Sequence, residues 1–272
     1  MLRALMLSRG RTGQAGFPPI VERWTGLSVD RGHLHYLTSV TGLRDPRALS
    51  ILYPHVVGFR LHMQLLTHPE YPLPIWGALQ IRNRLIQHEV LEAGAVIDLE
   101  TRVGSQRVGE KGLEVDLLSR ATRGGRLCWE SEITYYYRGR FEGAVAGAPR
   151  AASPDLAGGA EVDRFRMPRA GGWRFAGMSG DYNGLHLWTP YARLLGFQAA
   201  FPHSQRVAAM CLSRLEGPTS NEQTLELWIK GPVFYRAKTV LSRARLDDGL
   251  AFSLALADER RAALVGRWRS AS

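Results

Sequence analysis

The chain has 272 residues, 45 % of them hydrophobic and 22 % charged. That balance is typical of a globular protein and excludes a disordered, collagenous or coiled-coil chain. The size fits one large domain or two of about 100–150 residues each. The formal charge is +10, divided equally between residues 1–150 and 151–272. It is almost entirely arginine, since the only lysines are Lys111, Lys230 and Lys238. Dispersed arginine without a recognition helix or an aromatic RNA-binding motif argues against a nucleic-acid partner. It fits a phosphate-bearing small ligand or an acidic carrier protein.

Cys128 and Cys211 stand far apart, in no paired-ligand spacing. No disulfide framework or zinc site is expected, and the default compartment is a reducing one. A bilayer span needs about 20 consecutive apolar residues, and no stretch approaches that. The opening run Met1–Leu7 is interrupted by Arg3 and is too short for the core of a secretory signal. A soluble, cytoplasmic protein is expected.

His33 and His35 share one face of an expected strand and read as packing or surface residues. Tyr53-Pro54 opens a run with Val56, Val57, Leu61, Met63, Leu65 and Leu66, which predicts a buried helix ending near His68-Pro69. Alternation then predicts strands. Ile97, Leu99, Thr101 and Val103 fall on one face, Leu113, Val115 and Leu117 on another, and Glu132–Tyr137 forms a third strand. The small-residue segment 141–163 has no periodicity and reads as a linker. It divides the chain into units 1–140 and 164–272.

The second unit repeats the plan. Trp173-Arg174-Phe175 reads as a strand, 204–215 as a buried helix, and 225–229, 239–245, 251–257 and 264–268 as strands. A buried helix followed by antiparallel strands, twice over, describes an α+β protein with helices wrapped by sheet.

Between the expected strand at 173–175 and the helix at 204 lies Met178-Ser179-Gly180-Asp181-Tyr182-Asn183-Gly184-Leu185-His186-Leu187. A short helix follows, with Thr189 as N-cap, Pro190 at its first position and Gly196 at its end. Asp181 and His186 therefore fall on a tight loop bordered by glycines, where rigid folds commonly carry functional side chains. A carboxylate and an imidazole held this way can grip one water and share its protons.

The string Ser-Gly-Asp-Tyr-Asn-Gly-Leu-His resembles the hydratase signature of the MaoC-like dehydratases. These include (R)-specific enoyl-CoA hydratases and 3-hydroxyacyl-thioester dehydratases. His203-Ser204-Gln205 stands where that family has a second element, His-Gly-Met, opening its central helix. The resemblance is sharp over residues 173–215, and the two-part length looks like the double-hotdog members. It implies a double hotdog, with a degenerate first half (1–140) whose helix shapes an acyl tunnel and a catalytic second half (164–272).

It also implies Asp181 as the base and His186 as the group that holds the water and returns the proton. Ser204 and His203 would lie at an oxyanion or substrate-binding site, with Ser179, Gly180 and Asn183 supporting the loop. The substrate carrier would be coenzyme A or the phosphopantetheine of acyl carrier protein, with no metal or redox cofactor; a homodimer is the expected assembly. Two positions depart from the signature: Gly184 replaces its proline, and Ser204 replaces a glycine whose N–H helps to bind the thioester oxygen. Arg174, Arg193 and Arg206 are the arginines nearest the motif for an anionic carrier. Thioester hydrolysis and non-catalytic acyl binding remain open beside hydration, because one fold hosts several chemistries.

Overall fold

The computed structural model describes residues 17–141, 153, 159–259 and 261–270. Ten strands form one antiparallel sheet: β1 (Val21–Ser28), β2 (Leu79–Gln87), β3 (Val96–Gly109), β4 (Gly112–Arg123), β5 (Arg126–Arg138), β6 (Ala160–Arg166), β7 (Gln223–Ile229), β8 (Lys238–Leu246), β9 (Gly249–Leu256) and β10 (Ala262–Ser270). Their spatial order is β1-β3-β4-β5-β2-β7-β10-β9-β8-β6. The first five and the last five follow the same plan, read inward from each edge. In each half an edge strand leads into helices, the next strand goes to the centre, and a three-strand meander fills the gap.

The halves meet where β2 pairs with β7, with Leu85 opposite Leu225 and Arg84 opposite Glu226. Arg82 on β2 binds Glu226 at 2.7 Å across this seam, and Arg267 on β10 reaches the same carboxylate. Burial opposes ionisation of Glu226, yet its contacts with Arg267 and Arg82 hold the carboxyl below its ordinary range.

The helices lie against the sheet. The first half has α1 (Arg31–Thr41), α2 (Pro46–Val57) and α3 (Phe59–Leu66). The second has α4 (Gly172–Ser179), α5 (Gly184–Leu187), α6 (Thr189–Leu194) and α7 (Ser204–Leu212). Nine residues of α2 and eight of the nine in α7 are buried, the mark of a core helix.

The structure corrects several sequence expectations. The first-half helix starts at Pro46, where Asp45 accepts hydrogen bonds from the N–H groups of Arg47 and Ala48. Pro54 sits inside α2 instead of opening it. The helix breaks at Gly58, where a Cβ would stand 2.5 Å from the Pro54 carbonyl oxygen and 2.8 Å from Leu99. Glycine lets the helix junction settle onto β3.

His33 and His35 lie on α1, not on a strand. Asp30 caps that helix through the His33 N–H at 2.8 Å. Trp173-Arg174-Phe175 belongs to α4, where Phe175, Ala176, Met178 and Ser179 are buried at helical spacing. Aromatic residues favour strands in isolation, and here packing overrides that preference. The last residues of the expected linker, 160–163, are the start of β6; 142–152 and 154–158 lie outside the described residues.

The inner face of α2 and α3, expected to shape an acyl tunnel, carries polar groups. His55 Nε2 lies 3.2 Å from the Asn83 side-chain nitrogen. His62 uses both ring nitrogens, Nδ1 with the Tyr135 hydroxyl and Nε2 with Ser119, each at 3.1 Å. Among the described residues no helix is long and apolar enough to cross a membrane.

Candidate active site

The motif is shaped by short-range bonds. Ser179 Oγ donates to the Phe175 carbonyl at 2.9 Å and accepts the Asp181 N–H at 3.2 Å, which ties the end of α4 to the loop. Gly180 has φ +79°, the left-handed conformation that closes a helix. Asp181 Oδ1 accepts the Asn183 N–H at 3.1 Å, and Asn183 Oδ1 accepts the Leu185 N–H at 3.1 Å to cap α5. Side chains of Asp and Asn form such turns with the backbone two residues on.

His186 therefore stands on a single helical turn instead of a loop. Thr189 is the first residue of α6 and Trp188 its cap; the Thr189 hydroxyl instead accepts the Ala200 N–H at 3.2 Å. Gly184, where the signature has proline, faces the ring of Tyr191, and a Cβ there would lie 2.7 Å from that ring.

The turns direct Asp181 Oδ2 toward two imidazoles. It lies 3.6 Å from His186 Nε2 and 3.6 Å from His203 Nε2. His186 Nδ1 lies 3.0 Å from the Phe201 carbonyl, and a carbonyl only accepts. Nδ1 therefore carries the proton, and the lone pair of Nε2 faces Asp181. Tyr235 donates to the His186 main-chain carbonyl at 2.9 Å and Phe201 stands edge-on to the imidazole, so both the backbone and the ring of His186 are held.

Burial raises the Asp181 carboxyl above its ordinary range, although His186 and the Asn183 N–H oppose it. Burial lowers His186, with Asp181 and the Phe201 carbonyl opposing. These opposing shifts bring the two proton affinities together, as acid-base pairs require.

His203, expected among the substrate-binding residues, is 1 % exposed. Its Nε2 donates to the Asp181 main-chain carbonyl at 2.9 Å, and its ring lies between Phe175 and His186, 4.0 Å from the latter. The side chain braces the Asp181 loop from behind. Asp181, His186 and His203 each offer one ligand atom, all within 4.8 Å of one another. A cation bound through His203 Nε2 would have to displace its bond to the loop.

His203 is also the last residue before α7, whose N-terminus is thereby placed beside Asp181. No side chain caps that end, and its main-chain N–H groups and dipole favour negative charge. Ser204 opens the helix, and its Oγ donates to Gln80 Oε1 at 2.7 Å.

The first half reaches the motif in a second place. Arg60 on α3 donates to the carbonyls of Gly177 and Met178 at the end of α4. A side chain at Gly180 would strike the Arg60 stem at 2.7 Å. Sequence reading missed Arg60, Gln80 and Phe201, because nothing local marks them. Arg206 is buried and donates to the carbonyls of Val40 and Ala170, so it joins the halves and is closed to a carrier. Arg174 lies over the Tyr36 ring and Arg193 donates to the Gln198 carbonyl.

Comparison with known proteins adds to this geometry. No family model matches the chain. It is 26 % identical over 226 residues to 3-hydroxyacyl-thioester dehydratase X of Mycobacterium tuberculosis (strain ATCC 25618 / H37Rv), covering 82 % of this chain and 79 % of that one. The crystal structure of HtdX of Mycobacterium tuberculosis superposes with a TM-score of 0.79 at 22 % identity, over 93 % of this chain and 100 % of that one. A MaoC-like dehydratase from Phytophthora capsici gives 0.76 at 15 % identity, over 94 % and 96 %. A Mycobacterium tuberculosis protein with a double hotdog fold gives 0.56 at 14 % identity, over 92 % and 94 %. The fold is thus a double hotdog, and the likeness to the MaoC-like dehydratases extends well beyond the motif.

Proposed function

We propose that this chain, a double-hotdog protein similar to the MaoC-like dehydratases over most of its length, is a hydro-lyase. It interconverts trans-2-enoyl and (R)-3-hydroxyacyl thioesters. The observation that carries this reading is the facing pair of acceptors, Asp181 Oδ2 and the lone pair of His186 Nε2, 3.6 Å apart. Two acceptors at that spacing fit one water donating a proton to each, with its own lone pair turned outward.

In the hydration direction that lone pair attacks Cβ of the enoyl group. Asp181 takes a proton from the water as the new C–O bond forms, and the double-bond electrons move onto the thioester oxygen. The Asp181–His186 pair then delivers a proton to Cα as those electrons return. The balance is one water added across one double bond, with water and thioester the only reactants. Each acid-base group typically contributes about 10²–10⁴-fold in rate. The open N-terminus of α7 supports the developing negative charge on the thioester oxygen.

The carrier in this reading is coenzyme A or acyl carrier protein, the reaction needs no metal or redox cofactor, and it takes place in the cytoplasm. The first half shapes the space for the acyl chain.

The test is loss of the conjugated enoyl absorbance across a chain-length series of thioesters, for the unmodified chain, Asp181→Asn and His186→Ala. Turnover that falls at least about 10²-fold in both variants is expected. A folded chain with no turnover at any chain length would sink the proposal in favour of acyl binding. Release of free thiol would replace it with hydrolysis.

A further inference from the structure

Gln80 lies on β2, the first-half strand that pairs with the second half at the middle of the sheet. Its Oε1 accepts from Ser204 Oγ at 2.7 Å, so a residue of the half without the motif is tied to the first residue of α7. With Oε1 engaged, the orientation of the amide is set. Its Nε2 is shielded from solvent, and of its two N–H donors at most one meets a partner, the Tyr135 hydroxyl. An amide nitrogen carries two N–H donors, and a buried donor left unmet is costly. Such a group calls for an explanation, and a ligand that completes it is one.

The surroundings show what that ligand offers. Tyr135 is directly opposite Gln80 on β5, and its hydroxyl is already engaged with His62 Nδ1 at 3.1 Å. It accounts for at most one of the two donors. Gln80, through Ser204, and Asp181, through His203, both meet the start of α7.

We propose that Gln80 Nε2 donates to the thioester carbonyl oxygen, as a substrate-binding group contributed by the first half and oriented by Ser204. This rests on the hydratase reading of the site. The N–H groups of α7 approach that oxygen along the helix axis, and Gln80 approaches it from the sheet. Pre-oriented donors aimed at an oxygen that gains charge stabilise the transition state more than the bound substrate. The proposal also assigns work to the serine at 204: glycine there would leave the amide free to turn.

Gln80→Met keeps the length and volume of the side chain and removes its donors; Ser204→Ala removes the anchor. Hydration by Gln80→Met is expected to show kcat lowered about 10²-fold with KM little changed. Ser204→Ala is expected to lose less, and the double variant no more than Gln80→Met alone, as for two members of one unit.

The second readout is the infrared carbonyl stretch of bound saturated acyl-CoA labelled with ¹³C at the thioester. It is expected to move to higher frequency in both single variants. Unchanged kcat together with an unchanged carbonyl band in folded Gln80→Met overturns the proposal. Should Gln80→Met fail to fold, the same null result in Ser204→Ala overturns it. If the unmodified chain shows no hydration, the hydratase reading fails, and the carbonyl band of the bound thioester still decides for or against Gln80.

Discussion

Arg60 donates to the Gly177 carbonyl at 2.9 Å, although 117 residues separate them. The first-half guanidinium thereby takes up carbonyls that α4 leaves free at its end, two residues before the Gly180-Asp181 turn. The half that lacks the motif holds the motif in place, here and again through Gln80.

Arg60 acts only by positioning, so its loss is expected to lower turnover more than binding. In Arg60→Met the stem against Gly180 is kept and the two bonds are lost. We expect kcat to fall about tenfold, because misplacement by a fraction of an ångström is costly at a reacting centre. KM should change little, and Arg60→Lys should recover part of the loss. Equal kcat in Arg60→Met and the unmodified chain would show that the α4 end is held without it.

The pH profile follows from the Asp181–His186 pair. Burial is the largest influence on both, raising the carboxyl above 3.8 and lowering the imidazole below 6.5. The base form requires the carboxylate, so activity is lost as pH falls through the raised carboxyl value. Neutral His186 is maintained through pH 7. The acid limb of kcat/KM should therefore lie above 3.8, with a plateau on its alkaline side. A limb centred at or below 3.8 would show that a different group governs the reaction.

Stability should also depend on acid through the first-half core. His55 and His62 are fully buried, and loss of hydration lowers them to about 3 and about 4. Below pH 6.5 the unfolded chain binds protons at these positions and the folded chain does not. Folding stability is therefore complete above 6.5 and declines as pH falls toward 4. Between pH 7 and pH 5 each histidine is expected to remove about 2 kcal/mol. Urea unfolding at the two pH values measures this, and His62→Gln should show about half the acid sensitivity. Identical midpoints at pH 7 and pH 5 in the unmodified chain would contradict the burial argument.

Legibility in the sequence tracked the range of the interactions. Strands β3, β4, β5 and β7–β10 were readable, because apolar residues recur along them and pack on the core. β2 was not, although it lies at the centre of the sheet. It carries Gln80, Arg82, Asn83, Arg84 and Gln87, and a polar strand is read as surface. Arg82, Asn83 and Gln87 are buried because distant partners meet them: Asn83 with His55, Arg82 with Glu226, Gln87 with the Asn221 carbonyl. The edge strands β1 and β6 were missed for another reason, since they are largely exposed and bury too little to show a pattern.

The candidate site divides along the same line. The sequence by itself determined the Ser179–His186 segment, because its turns are closed by bonds spanning two to four residues, which residue type and spacing encode directly. Tertiary structure alone decided which atoms face each other there. Phe201 sets the protonated nitrogen of His186, His203 braces Asp181 from behind, and Arg60 and Gln80 arrive from the opposite half. These partners lie from 15 to more than 100 residues away. No local period carries that information; the halves are brought together by the antiparallel seam between β2 and β7 and by contacts between their helices, such as Arg206 with the Val40 carbonyl.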